Sequence, residues 1–318
     1  MSLKKTLVLS AVLSCSYSAH ATVSPSDLKS LEDFYNNVVS PNMAYTQSDS
    51  GTIHSPNNPP SETKAREALE LLEFAEQVYS QSGTPSGWAR VKDVSRKSGF
   101  NASVFTKGNN VVLAYRGSEL GTSDWVTDGM LSNDEVPKQF LQAINLAEKV
   151  KRDYPNHTIR YTGHSLGGGL STVAALVTGR STVAFDATGI NDALKSHITE
   201  KLGSEFVLTL HAAAIDNYNF VGEFVSDGDW QQDADVIGIN AKQYGDIYYL
   251  SDAHFTPFPK FIWDTPLTRH FISPIREELN YIINPYFIDW TLDEWDILWF
   301  KVTYLINSLP SLFQDIGN

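Results

Sequence analysis

Ser165 stands between glycines in Gly163-His164-Ser165-Leu166-Gly167, with Gly168 and Gly169 directly after. A serine hydroxyl is a weak nucleophile. It acts on an acyl carbon only when a base takes its proton and fixed donors hold the oxyanion that forms. The pentapeptide fits G-x-S-x-G, which has chemical meaning only where a strand enters and a helix leaves. Both flanks meet that condition. His157–Thr162 carries β-branched residues and an aromatic, so it reads as a strand. The segment that follows, 168–178, is rich in small residues with helix-forming Leu and Ala and reads as a helix. A serine at such a turn sits in a strained backbone conformation, so its neighbours must lack bulk. Ser165 would project from the sheet edge at a helix N-terminus. There the Leu166 N–H is unspent and the helix dipole favours negative charge, which makes half of an oxyanion hole.

The segment GHSLGGGL resembles the nucleophile motif of α/β-hydrolases, and most closely that of the class 3 lipase family, the fungal triacylglycerol lipases and their bacterial relatives. The resemblance implies an α/β-hydrolase fold with a mostly parallel central sheet, and it directs attention to three more sites. Val111–Tyr115 is a hydrophobic strand that runs into Arg116-Gly117-Ser118. In the family a similar strand ends in R-G-S or R-G-T, so Ser118 is the implied second oxyanion donor. Glu119–Leu131 follows, and Asp124-Trp125-Val126-Thr127-Asp128 is similar to the family's N-W-I-x-D lid, with Asp in place of Asn. The family's acid is placed by the resemblance at the end of a later strand. Phe224–Asp229 reads FVSDGD, which makes Asp229 the expected acid, with Asp227 and Asp186 as competitors.

The histidine comes last in the order Ser…Asp…His. Only His254 and His270 lie beyond Asp229. Leu267-Thr268-Arg269-His270, ahead of an expected helix over Phe271–Ile283, resembles the family's loop-to-helix histidine and makes His270 the expected base. His164, within the turn itself, reads as structural. No H-E-x-x-H or clustered ligand spacing occurs, so neither metal nor cofactor is expected.

The remaining elements must position these groups. Ser61–Gln81 is an expected helix, with Ser61 as N-cap and Ala68, Leu71, Leu72, Ala75, Val78 and Tyr79 on its buried stripe. Gly99–Thr106 and Asn110–Tyr115 read as a hairpin about Lys107-Gly108-Asn109. Val136–Asp153 reads as a helix. Thr182–Phe185, Phe220–Ser226, Val236–Ile239 and Ile247–Leu250 read as strands. Alternating strands and helices argue for an α/β sheet independently of any motif.

The chain has 318 residues and is 42% hydrophobic, enough for one large core, and a net charge of −13 argues against nucleic-acid partners. At the N-terminus, Lys4-Lys5, the apolar Thr6–Leu13 and Ala19-His20-Ala21 form the three parts of a secretory signal peptide. Cleavage after Ala21 would remove Lys4, Lys5 and Cys15, the one cysteine, leaving a charge of −15. Lipoprotein processing at Cys15 is the competing reading. The expected divisions are a signal peptide over 1–21, a helix and linker over 22–60, the hydrolase domain over 61–283 and an aromatic helical extension over 284–318. In the extension, Ile288, Leu292, Trp295, Trp299, Val302 and Ile306 recur at helical spacing. Such a helix over Pro285–Leu312 packs on the core or lies at a lipid surface; the five charges in that segment oppose a membrane span.

Together these features imply a secreted serine carboxylester hydrolase acting on acylglycerols or phospholipids. Two readings from other classes stand beside it: a secreted effector or toxin held by a protein partner, and a binding protein with a degenerate site.

Overall fold

A computed structural model of the protein describes residues 51–80, 82–118, 135–221, 223, 225–226, 241–251, 270 and 272–285. The expected signal peptide, N-terminal helix, lid segment and strand at 236–239 lie outside these residues, as does the C-terminal extension beyond residue 285.

One sheet organises the described residues. Its strands are β1 (Ile53–His54), β2 (Ala89–Ser95), β3 (Asn101–Lys107), β4 (Asn110–Tyr115), β5 (Thr158–His164), β6 (Ser181–Phe185), β8 (Ile215–Phe220) and β10 (Asp246–Leu250), in the order β1-β10-β8-β6-β5-β4-β3-β2. A small separate pair joins β7 (Ile190–Asn191) to β9 (Ala241–Lys242). From β4 to β1 every pairing in the large sheet is parallel, and only the β2-β3-β4 meander is antiparallel. The hairpin forms where the sequence places it, closing at Gly108, whose φ of 56° suits glycine.

Period-2 alternation sorts the side chains to the two faces. Val112 and Ala114 join Phe105, Phe185, Tyr218 and Phe220 in one core cluster. Val111, Leu113 and Tyr115 join Val104, Ile159 and Tyr161 in the other. Helix α1 (Glu62–Gln77) covers the first face, beside α6 (Ile272–Ile283). Its predicted N-cap is real: Ser61 Oγ accepts the Lys64 N–H at 3.4 Å. Leu71, Leu72 and Phe74 are fully buried from it, each contributing about 1.5–3 kcal/mol by transfer from water. Helices α2 (Lys138–Asp153), α3 (Leu166–Thr178), α4 (Asp192–Leu202) and α5 (Glu205–Ala212) cover the second face. This mostly parallel sheet between two helical layers is an α/β-hydrolase fold. Among the described residues, no helix is long and apolar enough to cross a membrane.

One predicted strand is displaced. The strand is Ile215–Phe220; among the described residues after it, Val221, Glu223, Val225 and Ser226 are outside any strand, and Val225 and Ser226 lie in a turn. Its sequence, IDNYNF, carries Asp216, Asn217 and Asn219, so hydrophobicity points past it to the next segment. The polar residues are tolerated because they are partnered. Lys64 pairs with Asp216 at 2.6 Å, and Asn217 donates to the Tyr244 carbonyl at 2.8 Å. Helices α4 and α5 were not anticipated either.

Candidate active site

Parallel strands end on the same side, and the register here brings four ends together. Tyr115 lies opposite Gly163, His164 opposite Phe185, and Phe185 opposite Tyr218. The residues just beyond those ends are Arg116-Gly117-Ser118, Ser165, Asp186 and, three residues past Phe220, Glu223. Ligands of open α/β sheets bind at this carboxyl edge.

Ser165 occupies the turn between β5 and α3 with φ 61° and ψ −129°, one of two non-glycine residues with positive φ among the described residues. Such a conformation costs of order 1–3 kcal/mol and persists only where the surroundings hold it. Here the Ser165 N–H donates to the Phe185 carbonyl at 2.9 Å, and the Ser165 carbonyl accepts the Gly168 N–H at 2.9 Å. The glycines are required by crowding. A Cβ on Gly163 would lie 2.2 Å from the Gly167 carbonyl oxygen, and one on Gly167 would lie 2.3 Å from that of Tyr115. Leu166 opens α3, so its N–H has no acceptor within the helix.

The Arg116-Gly117-Ser118 turn abuts the nucleophile. A Cβ built on Gly117 would stand 3.3 Å from Ser165 Cβ. The Gly117 N–H donates to the Tyr79 hydroxyl at 3.1 Å, which ties this turn to the end of α1. Ser118 is half-buried beside it.

His270 is buried, and its Nδ1 lies 2.6 Å from Glu223 Oε2. Glu223 is buried as well. Its Oε2 also accepts the Val225 N–H at 2.8 Å, and its Oε1 accepts the Ser226 N–H. The carboxylate is therefore held from the main chain on both oxygens. A carbonyl can only accept, so His164 Nε2 donates to the His270 main-chain oxygen, at 2.7 Å. The two imidazole rings sit 4.7 Å apart at 40°. Burial, and then the neighbouring His270, hold the His164 pKa well below the ordinary value of 6.5.

Asp186 is fully buried at φ 41°, and its Oδ1 accepts the Phe220 N–H at 2.7 Å. One ligand-type atom from each of His164, Asp186 and His270 lies within 4.8 Å of the others. By residue type this group can bind a metal. Its existing hydrogen bonds commit one nitrogen of each histidine to other partners.

Of the residues expected from sequence, Ser165, Leu166, Ser118 and His270 are described at this edge. Asp229, Asp227 and His254 lie outside the described residues. Glu223 was missed. The misplaced strand put it mid-strand, where a carboxylate draws no attention. The usable signal was an acid just past the end of a parallel strand, in Phe220-Val221-Gly222-Glu223.

The family model described as phospholipase-like, Tle-like phospholipase domain, matches residues 70–248. The extracellular phospholipase A1 of Serratia liquefaciens is 32% identical over 139 residues, covering 39% of this chain and 42% of the relative. The match thus spans less than half the length of that relative. Among solved structures, a triacylglycerol lipase from Penicillium expansum is 19% identical with a TM-score of 0.43, over 61% of this chain and 82% of that chain. The Lip2 lipase from Yarrowia lipolytica is 14% identical with a TM-score of 0.40, over 64% and 82%. The lipase resemblance carried by the motifs and the matched family agree, and with more than half its length matched the chain belongs to the Tle-like phospholipase domain family.

Proposed function

We propose that this chain is a serine carboxylester hydrolase of phospholipase type, and that Glu223, in place of Asp229, is the acid of its triad. Ser165 attacks the ester carbonyl. His270 takes the serine proton and returns it to the leaving alcohol. Glu223, on Nδ1, fixes the tautomer and stabilises the imidazolium. The Leu166 N–H and Ser118 hold the oxyanion. Water then repeats the sequence on the acyl-enzyme. The observation that carries this reading is the strained Ser165 turn beside a buried Glu223–His270 pair at 2.6 Å. Its support for phospholipid over acylglycerol is the family description and the named activity of the Serratia liquefaciens relative. Lipid at an interface is the expected partner, and secretion through the N-terminal signal is part of the same proposal.

The test is fatty-acid release from phosphatidylcholine vesicles and from triolein emulsion, with wild type and Ser165→Ala compared. Release from vesicles that exceeds release from triolein and vanishes in Ser165→Ala supports the proposal. Wild-type release by Ser165→Ala ends the serine mechanism. Release confined to triolein retains the mechanism and reassigns the substrate.

A further inference from the structure

His164 reads from the sequence as a structural residue of the turn, yet its side chain is spent on the main chain of His270. We propose that His164 is the positioning residue for the general base: its Nε2–H holds the His270 carbonyl and so fixes the base relative to the nucleophile. This rests on the reading of Ser165 and His270 as nucleophile and base.

The geometry explains why one tether is not enough. Glu223 fixes one atom of the imidazole, Nδ1. A ring pinned at one atom still swings with its own Cα. The second contact fixes the main chain at that Cα, and the two together leave the ring little freedom. Where the second contact originates matters as much. His164 is bonded to Ser165 through a single peptide, and that peptide is held in the sheet, where His164 pairs with Phe185 and the Ser165 N–H bonds the Phe185 carbonyl. The base is therefore referenced to the nucleophile through one rigid link, although 105 positions of chain separate them (270 − 165). A misplacement of about 1 Å in such a pair costs roughly 10²-fold in rate.

The chemistry of His164 suits the task. Donation from Nε2 to a carbonyl requires the proton on that nitrogen. In the buried, neutral ring, Nδ1 then carries none. A neutral donor adds no positive charge beside the imidazolium that forms on His270 in each half-reaction. Lys or Arg could donate to the same carbonyl, but either would place a full cation within a few ångströms of that imidazolium.

A space-filling role makes a different prediction from a tethering role. Gln places its amide nitrogen as many bonds from Cβ as His Nε2, so it can reach the His270 carbonyl. Asn is polar but one carbon short. Leu fills space without donating. His164→Gln, His164→Asn, His164→Leu and His270→Ala should be compared with wild type on a soluble p-nitrophenyl ester and by the rate of labelling with a fluorophosphonate. His164→Leu and His164→Asn should lose about 10²-fold in kcat with KM unchanged, and labelling should slow in parallel. His164→Gln should regain most of both. Wild-type kcat and labelling in His164→Leu would overturn the proposal. If His164→Leu does not fold by circular dichroism, the Gln–Asn pair decides, and equal rates in those two would overturn it. Near-wild-type rates in His270→Ala would instead remove the base itself, a separate failure from that of its tether.

Discussion

Replacing Glu223 by Gln changes one oxygen to an amide nitrogen and little else in shape. The consequence follows from the three donors on that carboxylate. His270 Nδ1 and the Val225 N–H share Oε2, and the Ser226 N–H takes Oε1. An amide has one acceptor end. If its oxygen faces His270, its NH2 meets the Ser226 N–H, donor against donor, inside a buried site. If it flips, the NH2 faces His270 Nδ1 and selects the tautomer protonated on Nε2, which cannot take a proton from serine. The first arrangement costs stability, about 1–3 kcal/mol for an unsatisfied buried group. The second costs catalysis, and it also turns the NH2 on the Val225 N–H, so it carries a similar stability loss. In serine triads the wrong tautomer lowers kcat by about 10⁴, or roughly 5.5 kcal/mol of barrier. We therefore expect Glu223→Gln to lose between about 10³ and 10⁴ in kcat on phosphatidylcholine vesicles and on a soluble ester alike. Urea unfolding should show the smaller stability loss, and assays well below the unfolding midpoint separate the two. Asp229→Asn is the matched control. A loss under tenfold in Glu223→Gln, with a thousandfold loss in Asp229→Asn, would refute the reasoning and return the acid to Asp229.

Ser118→Ala should lower kcat by ~10²–10³ with little change in KM, as loss of one oxyanion donor does; an effect confined to KM would show that Ser118 touches only substrate. Gly167→Ala should fail to accumulate as folded protein, because its Cβ would meet the Tyr115 carbonyl oxygen at 2.3 Å, and soluble expression with a wild-type melting temperature would contradict that. His164 gives a pH dependence of stability. Its folded pKa lies below the ordinary 6.5, so the unfolded chain binds its proton first as pH falls. The stability from keeping it neutral is complete above 6.5 and is lost below, toward the folded value. Melting temperature should fall across that window more steeply in wild type than in His164→Gln; equal slopes would show that His164 titrates alike in both states.

The elements that came directly from the sequence are those whose pattern has a local physical cause. Helix α1 has its Ser61 cap and a 3.6-residue stripe, β3 and β4 alternate about Gly108, and the Ser165 turn is framed by glycines that a Cβ would block. Where a cause is tertiary, the pattern misleads. Strand β8 carries Asn217 and Asn219 because hydrogen-bond partners await them, Tyr244 and Asp246 for one and Gln243 for the other. Nothing within the segment itself announces those partners. The hydrophobic signal therefore slid to 220–226, and the search for the acid slid with it.

The same distinction separates the parts of the proposed triad. A nucleophile at a strained turn constrains its own five-residue neighbourhood, since Gly163 and Gly167 must each let another backbone approach. An acid constrains almost nothing locally. It needs a carboxylate near a strand end and donors to hold it, and the donors here are main-chain N–H groups that every non-proline residue carries. Glu has one more methylene than Asp and reaches the same imidazole from a different anchor, so position along the chain is not fixed by the chemistry. What fixes it is the parallel register, which carries β4, β5, β6 and β8 to a common edge whatever separates them in sequence. His164 belongs to both kinds of constraint. Its place in the turn is local and visible, whereas its bond to His270 exists only once the chain has folded.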